Sequence, residues 1–306
     1  MFSIKYLCKL AGVSRSGYYN YLNSKETREK NEKRDYENYK LIKEAFDYRG
    51  RSKGARSIKM YLQRKKDIIF NLKRIRRLMR KFGLVCSIRK ANPYKKMIRA
   101  IQTSSICENK VKRHFNQGVA GKIFLTDITY LFYGKGLNKR AYLSTVKDAG
   151  TTEIVAYNPS KTMELPIVLD TIHMLIGNKL IEIDKNALIH SDQGAHYTSK
   201  AFQDLLKKVE LEQSMSRRGN CWDNAPQESF YGHMKDELHL DQCETFEELC
   251  EELDDYFDYY NNDRYQWDLG MRTPKEYREY LKYGDGYFLM EIKQSTPIGV
   301  DCLNSY

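Results

Sequence analysis

The sequence predicts an α/β protein in which a mixed sheet carries helices and is preceded by a helical, strongly basic front. Three observations lead there. From Gly121 onward, β-rich runs and runs at helical spacing alternate as three strands, helix, strand, helix, strand, helix. Ahead of that point the apolar spacing is helical, and residues 1–120 hold 32 Lys and Arg against 9 Asp and Glu, a net of +23. Residues 121–306 carry −11, so the charge is divided between a basic front and an acidic back. The chain of 306 residues, 41% hydrophobic and 12% aromatic, has room for about two ordinary domains with cores, which excludes a disordered chain. Its longest apolar runs fall well short of the roughly 18 residues of a membrane span, and Lys5 and Lys9 interrupt the first of them. A membrane protein, a collagen-like chain, a small disulfide scaffold and a secreted precursor are therefore not expected. The seven cysteines are odd in number with no CxxC pair, so reduced thiols and no zinc are expected in a cytoplasmic protein.

The elements follow in order. Residues 1–24 read as a helix-turn-helix: Ile4, Leu7 and Leu10 recur at helical spacing, Ala11-Gly12-Val13 turns, and Ser14 caps the second helix. The charged stretch 24–40 reads as helix or linker. Residues 36–86 read as a second basic helical DNA-binding domain, with Tyr39, Ile42 and Phe46 on an amphipathic helix and a basic loop from Arg49 to Arg56. Its clearest helix starts at Asn71, carries Leu72, Ile75, Leu78, Met79 and Phe82 on one stripe, and ends at Gly83. The other face is Lys73, Arg74, Arg76, Arg77, Arg80 and Lys81, with no acid among them to give mixed-sign support along the helix. Such a face suits a phosphate-lined groove, either as a recognition helix or as a backbone clamp, and Arg15 on the first motif is a further candidate contact. Residues 87–120, with Pro93, read as a linker that orders on DNA. The predicted strands are 122–133, 141–149, 152–157, 186–192 and 211–216. The helices between and after them are 164–176, 199–210, 223–238 and 245–261, the last opened by Thr245 and Glu248 as a capping box.

Three carboxylates stand out. Asp127 lies inside the first strand, where an acid is costly unless something pairs it. Asp192 ends the fourth strand, where open α/β sheets place ligands. Glu228 falls on the helix after the fifth strand. Hard oxygen ligands without Cys or His partners suit Mg²⁺ or Mn²⁺, and two such ions about 4 Å apart suit phosphoryl transfer. Asp148 and Asp184 read as solvated turn residues, His190 and His196 as packing or DNA-facing residues, and Trp222 as packing at the base of the helix that carries Glu228, with stacking on a nucleic-acid base as the alternative.

The local words around those acids are more specific than their spacing. LTDITY (125–130), HSDQGAHYTS (190–199) and RGNCWDNAPQESF (218–230), with 35 residues between Asp192 and Glu228, resemble the retroviral-integrase-like DDE transposases, of the OrfB type of two-frame bacterial insertion sequences. The likeness runs over roughly residues 3–277. It takes in GVSRSGYY (12–19), RLMRKFGL (77–84), Tyr260-Asn261-Asn262-Asp263-Arg264 and Thr273-Pro274-Lys275-Glu276-Tyr277. The resemblance implies an RNase H-like integrase catalytic core over 121–277 with its C-terminal helices, and it assigns no role to the tail, 278–306. It implies that Asp127, Asp192 and Glu228 are catalytic and hold two Mg²⁺ or Mn²⁺ ions, and that Lys235 contacts DNA. It also implies double-stranded DNA partners, at element ends and target, a homo-multimer on that DNA, no membrane, a nucleoid-associated location and a circular-intermediate route. Phe124, Gln227 and Gln266 stand where that family usually has Trp, Met and His, and Lys53-Gly54-Ala55 is less aromatic than its consensus. The expected activity is metal-dependent cleavage and strand transfer by an insertion-sequence transposase. A nuclease of the same fold without strand transfer, and a DNA-binding regulator with a non-catalytic core, are the alternatives.

Overall fold

The computed structural model describes residues 3–50, 53–86, 107, 109–111, 118–216 and 225–284. Most of the expected linker, residues 217–224 with Trp222, and the tail from 285 lie outside the described residues. The chain divides into two compact units, Met1–Cys86 and Ser87–Tyr306.

The front unit is helical. Helix α1 (Ile4–Leu10) and α2 (Arg15–Asn23) are joined through Gly12 at φ +67°, a turn that favours glycine, and the Gly17 N–H bonds the Ser14 hydroxyl at 3.0 Å. This pair buries only Cys8. Ile4, Leu7 and Leu10, whose spacing predicted a packed face, stay exposed. Helix α3 (Lys25–Asp47) is one continuous 23-residue helix through the stretch expected as helix or linker. The reason is tertiary: α4 (Ala55–Lys66) and α5 (Leu72–Lys81) pack on it. Ile42 and Ala45 join Ile58, Tyr61, Leu62, Phe70, Ile75, Leu78 and Met79 in one core. Asn71 caps α5 by accepting the Lys73 N–H at 2.9 Å.

The second unit is built on five strands, β1 (Ile123–Tyr133), β2 (Lys139–Asp148), β3 (Ile154–Ser160), β4 (Leu188–Ser191) and β5 (Glu212–Met215), in the order β3-β2-β1-β4-β5. The first three strands are antiparallel neighbours, and β4 and β5 add in parallel beside β1. Side chains alternate between faces. Phe124, Val146, Ile189 and Met215 pack under α6 (Pro166–Gly177) and α7 (Lys200–Lys208) through Val168, Ile172, Phe202 and Leu206. The opposite face receives α8 (Ala225–Glu237), α9 (Phe246–Asn262) and Val111, which packs there on Ile123 and Leu125, while Cys107 packs with the first face. Thr245 accepts the Glu248 N–H at 3.1 Å, but the Glu248 carboxylate takes the Glu244 N–H, so only half of the expected capping box forms.

Asp148 corrects the sequence reading. It is 2% exposed, not solvated, and accepts the N–H groups of Gly121 and Gly150 at 2.7 Å each. Burial pushes its carboxyl above the ordinary range, against those bonds. Asp184 is exposed and caps a turn through the Asn186 N–H at 2.8 Å, as expected.

Candidate active site

Asp127 lies on β1, and Asp192 is the first residue after the neighbouring strand β4. The parallel pairing of β1 with β4 runs Ile123 to Leu188, Phe124 to Ile189 and Leu125 to His190. Two residues beyond that last pair come Asp127, still within β1, and Asp192, just past the end of β4. There β4 ends at Ser191 while β1 continues to Tyr133. The Asp127 carboxylate accepts the N–H of Ile128 at 2.8 Å.

The loop after β4 is wound around Asp192. Its carboxylate accepts the Gly194 N–H at 2.8 Å, and a Cβ at 194 would stand 2.8 Å from that same oxygen, so a side chain there would push the carboxylate aside. The rest of the word HSDQGAHYTS is scaffold. His190 is fully buried and bonds Ser214 at 2.9 Å, and Gln193 donates to the Ser216 carbonyl at 3.0 Å. His196 bonds the Met163 carbonyl at 2.9 Å, Tyr197 enters the core, and Ser199 caps α7. Both histidines are thus occupied as packing residues rather than aimed at a metal.

Glu228 lies on the first turn of α8 and is exposed, its helix held on the sheet by the neighbours Gln227 and Tyr231. Gln227 donates to the Thr145 hydroxyl at 2.5 Å, Thr145 and Tyr231 share a hydroxyl–hydroxyl bond of 2.8 Å, and Tyr231 donates to the Asp127 carbonyl at 2.5 Å. Thr145 is the cross-strand partner of Asp127. Lys235, half-buried, lies two turns further along α8. Among the described residues no three His, Cys, Asp or Glu side chains stand close enough to hold a metal ion by themselves. The donor set nevertheless fits Mg²⁺ or Mn²⁺, which take oxygen ligands and use one or two carboxylates completed by water and substrate phosphate.

Sequence reasoning missed Lys147. It lies on β2 opposite Leu125, 7% exposed, donating to the Pro226 carbonyl at 3.4 Å, with the Phe230 ring centroid 5.6 Å from its ammonium. Burial, helped by the Arg264 charge, pushes its pKa from 10.5 down to about 8. Between those values the unfolded chain holds a proton that the folded chain has released, so this group favours folding more as pH rises from 8 to 10.5. Below pH 8 the fold carries a desolvated charge. Lys147→Met is expected to raise stability at pH 7 by about 2 kcal/mol and to lose that pH dependence. Thermal unfolding of both proteins at pH 7 and pH 10 checks this, and a less stable variant at pH 7 contradicts it.

In the front unit, the six cations of α5 divide into two stripes. Arg77 holds the buried Asp35 of α3 through two bonds of 2.7 and 2.6 Å, and Lys81 bonds Asp35 at 2.9 Å and Glu32 at 2.7 Å. Arg74 lies over the Phe70 ring, 5.2 Å from its centroid. The acids absent from α5 are thus supplied by α3. Lys73, Arg76 and Arg80, at i, i+3 and i+7, are exposed, as is Arg15 at the start of α2.

The integrase core domain family matches this chain over residues 120–221 and again over 228–280, and an HTH-like domain family matches residues 33–92. The transposase for insertion sequence element IS904 of Lactococcus lactis is 32% identical over 216 residues, covering 70% of this chain and 82% of that protein. The chain belongs to the insertion-sequence transposases with an integrase core. A transposase-like protein of Haemophilus influenzae is 31% identical over 222 residues, covering 72% of this chain and 98% of the relative. Among solved structures, the catalytic core domain of BIV integrase aligns with 57% of this chain and 99% of its own at 19% identity, with a TM-score of 0.40.

The signature residues of this transposase bind its helices to the sheet. The Asn261 side chain pairs with both backbone groups of Ile154 on the edge strand β3, accepting its N–H at 3.0 Å and donating to its carbonyl at 2.9 Å. Arg264 grips Glu237 near the end of α8 at 2.9 to 3.1 Å. Helix α10 (Pro274–Tyr283) starts from a full capping box of Thr273 and Glu276, and Arg278 reaches the buried Glu153 at 2.8 Å. The transposase's departures from the family words have structural places. Phe124 is fully buried in the core, Gln227 joins the Thr145 bond, and Gln266 accepts from Thr152 at 3.1 Å.

Proposed function

We propose that this transposase cleaves DNA at the ends of its element and joins the freed 3′-hydroxyl to a second phosphodiester, with Asp127, Asp192 and Glu228 as the carboxylates of one site. The observation that supports this reading is the parallel pairing of Leu125 with His190, two residues before Asp127 and Asp192, with α8 tied to the Asp127 carbonyl. The three carboxylates are suited to hold one or two Mg²⁺ or Mn²⁺ ions, which when bound stabilise negative charge developing on the attacking and leaving oxygens. The chain's own contribution is position. The Gly194 loop fixes the Asp192 carboxylate, and the Ile128 N–H fixes that of Asp127.

In cleavage, a water oxygen attacks phosphorus and the 3′-oxygen leaves as a hydroxyl; in joining, that hydroxyl attacks the phosphorus of another phosphodiester, whose own 3′-oxygen leaves as a hydroxyl with the proton released. Duplex DNA is the partner, bound through Lys73, Arg76, Arg80 and Arg15 of the basic front, and two ends call for more than one copy of the chain. No helix among the described residues is long and apolar enough to cross a membrane. The deciding test is a duplex bearing the element end, incubated with Mg²⁺ and resolved for nicked and joined products. Nicking with joining supports the transposase reaction, nicking alone supports the nuclease alternative, and binding with neither supports the regulator.

Lys235 is the proposed phosphate contact beside the carboxylates. Residues 228 and 235 are seven apart, so they lie about 20° from coincident and roughly 10 Å apart along α8. A phosphate next to the reacting one falls within reach of a long cationic side chain there. Lys235→Ala is expected to lower cleavage and joining about tenfold or more with metal binding retained, and Lys235→Arg to recover much of it, since either cation pairs with phosphate. Wild-type joining by Lys235→Ala at physiological salt would remove the residue from the site.

A further inference from the structure

We propose that the hydrogen-bonded chain running Gln227, Thr145, Tyr231, Asp127 is a positioning device that sets Glu228 against Asp127. The inference rests on the reading of Asp127, Asp192 and Glu228 as one carboxylate site.

The direction of the chain follows from its end. The Asp127 carbonyl can only accept, so the Tyr231 hydroxyl donates to it at 2.5 Å. Tyr231 then accepts from Thr145 at 2.8 Å, and Thr145 accepts from the Gln227 amide at 2.5 Å. Each hydroxyl donates once and accepts once, an arrangement in which neighbouring bonds strengthen one another.

The bonds join two points on the helix to two points on the sheet. Gln227 and Tyr231 are four residues apart and lie one above the other on the face of α8 that meets the strands. Asp127 and Thr145 are directly paired across β1 and β2. Gln227 and Thr145 are 0% exposed and Tyr231 6%, so a slide or rotation of α8 would strand buried donors and acceptors without water to replace their partners. Glu228 sits between the two anchoring residues and is carried with them. Apolar side chains at 227 and 231 could fill the same space, but they would leave the helix free to shift along the sheet. Gln227 even carries a cost that an apolar residue would avoid, since among the described residues its Oε1 is buried without a hydrogen-bond partner. Polar groups in a buried contact are well suited to setting register rather than adding stability.

The test uses the full chain with Tyr231→Phe, Gln227→Met and the double variant. Three quantities are read: Mn²⁺ binding by the protein alone from the electron paramagnetic resonance of free Mn²⁺, the Mg²⁺ midpoint for cleavage of end-bearing duplex, and the thermal midpoint in EDTA. Each single variant is expected to weaken Mn²⁺ binding and raise the Mg²⁺ midpoint about tenfold, the scale seen when partners that orient metal ligands are removed. The DNA concentration for half-maximal binding should not move. The double variant should be little worse than the worse single, because one break already interrupts the chain. Wild-type Mn²⁺ binding in the folded variants overturns the proposal, and so does a lowered thermal midpoint with unchanged metal affinity. If Tyr231→Phe fails to fold, Gln227→Met decides alone. Glu228→Gln in parallel separates the two readings. If it keeps metal binding and cleavage, the carboxylate site is wrong; if it loses both while the Tyr231 and Gln227 variants do not, only the positioning role is wrong.

Discussion

Asp127→Asn, Asp192→Asn and Glu228→Gln are each expected to lower Mg²⁺-dependent cleavage about a thousandfold or more, equivalent to about 4 kcal/mol of transition-state stabilisation. Joining should fall with cleavage, because the proposed reaction uses the same carboxylates for both steps. The amides are chosen because they remove charge and leave shape. An Asn at 192 still offers an oxygen to the Gly194 N–H, and an Asn at 127 still offers one to that of Ile128. Glu228 is exposed, so Glu228→Gln disturbs little packing. Fold and DNA binding should therefore survive, with affinity for the element end within about twofold of wild type, since binding rests on the basic front. Nicked and joined products are counted on a denaturing gel beside a binding titration. Mg²⁺-dependent nicking above background by Asp192→Asn would refute the assignment.

The triple variant Lys73→Ala, Arg76→Ala, Arg80→Ala is expected to weaken duplex binding about a hundredfold near physiological salt. The slope of log affinity against log salt should fall by about 3, close to one unit for each phosphate no longer neutralised. Its thermal midpoint should not change, because these three side chains are exposed and the core of α5 lies on the other face. Asp35→Asn makes the contrast. It removes the acid that Arg77 and Lys81 hold, and is expected to cost the front unit about 2 kcal/mol. The Arg77 hydrogen bonds, with Lys81, keep the Asp35 carboxyl well below the ordinary carboxylate range against the opposing effect of burial. The stability it adds is therefore complete above about pH 4 and is lost as the pH falls below the unfolded value toward the folded one. Salt-dependent binding and pH-dependent unfolding separate the two stripes. A triple variant with wild-type affinity and slope would show that the open stripe of α5 is not the DNA surface.

These two stripes show where reading along the chain stops. The six cations of α5, its Asn71 cap and its apolar stripe are local properties of ten or so residues, and local spacing reveals them. Which cations stay open depends on Asp35 and Glu32, about 40 residues earlier, and no helical periodicity connects the two helices. The same distance explains α3. Residues 24–40 have few apolar positions to announce a helix, and the partner that holds them is on α5. Asp148 is a similar case. Its neighbours Gly150, Thr151 and Thr152 spell a turn, and only the approach of Gly121 from the start of β1 makes it a buried acceptor.

The sequence by itself determined the order and type of nearly every element in the second unit, since the alternation and helical spacing of residues 121–261 are repeated without conflict in propensity, caps and turns. It also determined which acids to examine, because the words around Asp127, Asp192 and Glu228 are specific. Tertiary structure decided the rest. Strand order and the parallel register of β1 with β4 set Leu125 against His190, two residues before each aspartate, although 64 residues separate the two acids in the chain. It decided that Lys147 is enclosed against α8 and that Gln227, Thr145 and Tyr231 join into one chain of bonds. The physical reason is that periodicity reports which face a residue occupies, while hydrogen-bond partners, desolvation and charge pairing depend on what another segment brings to that face.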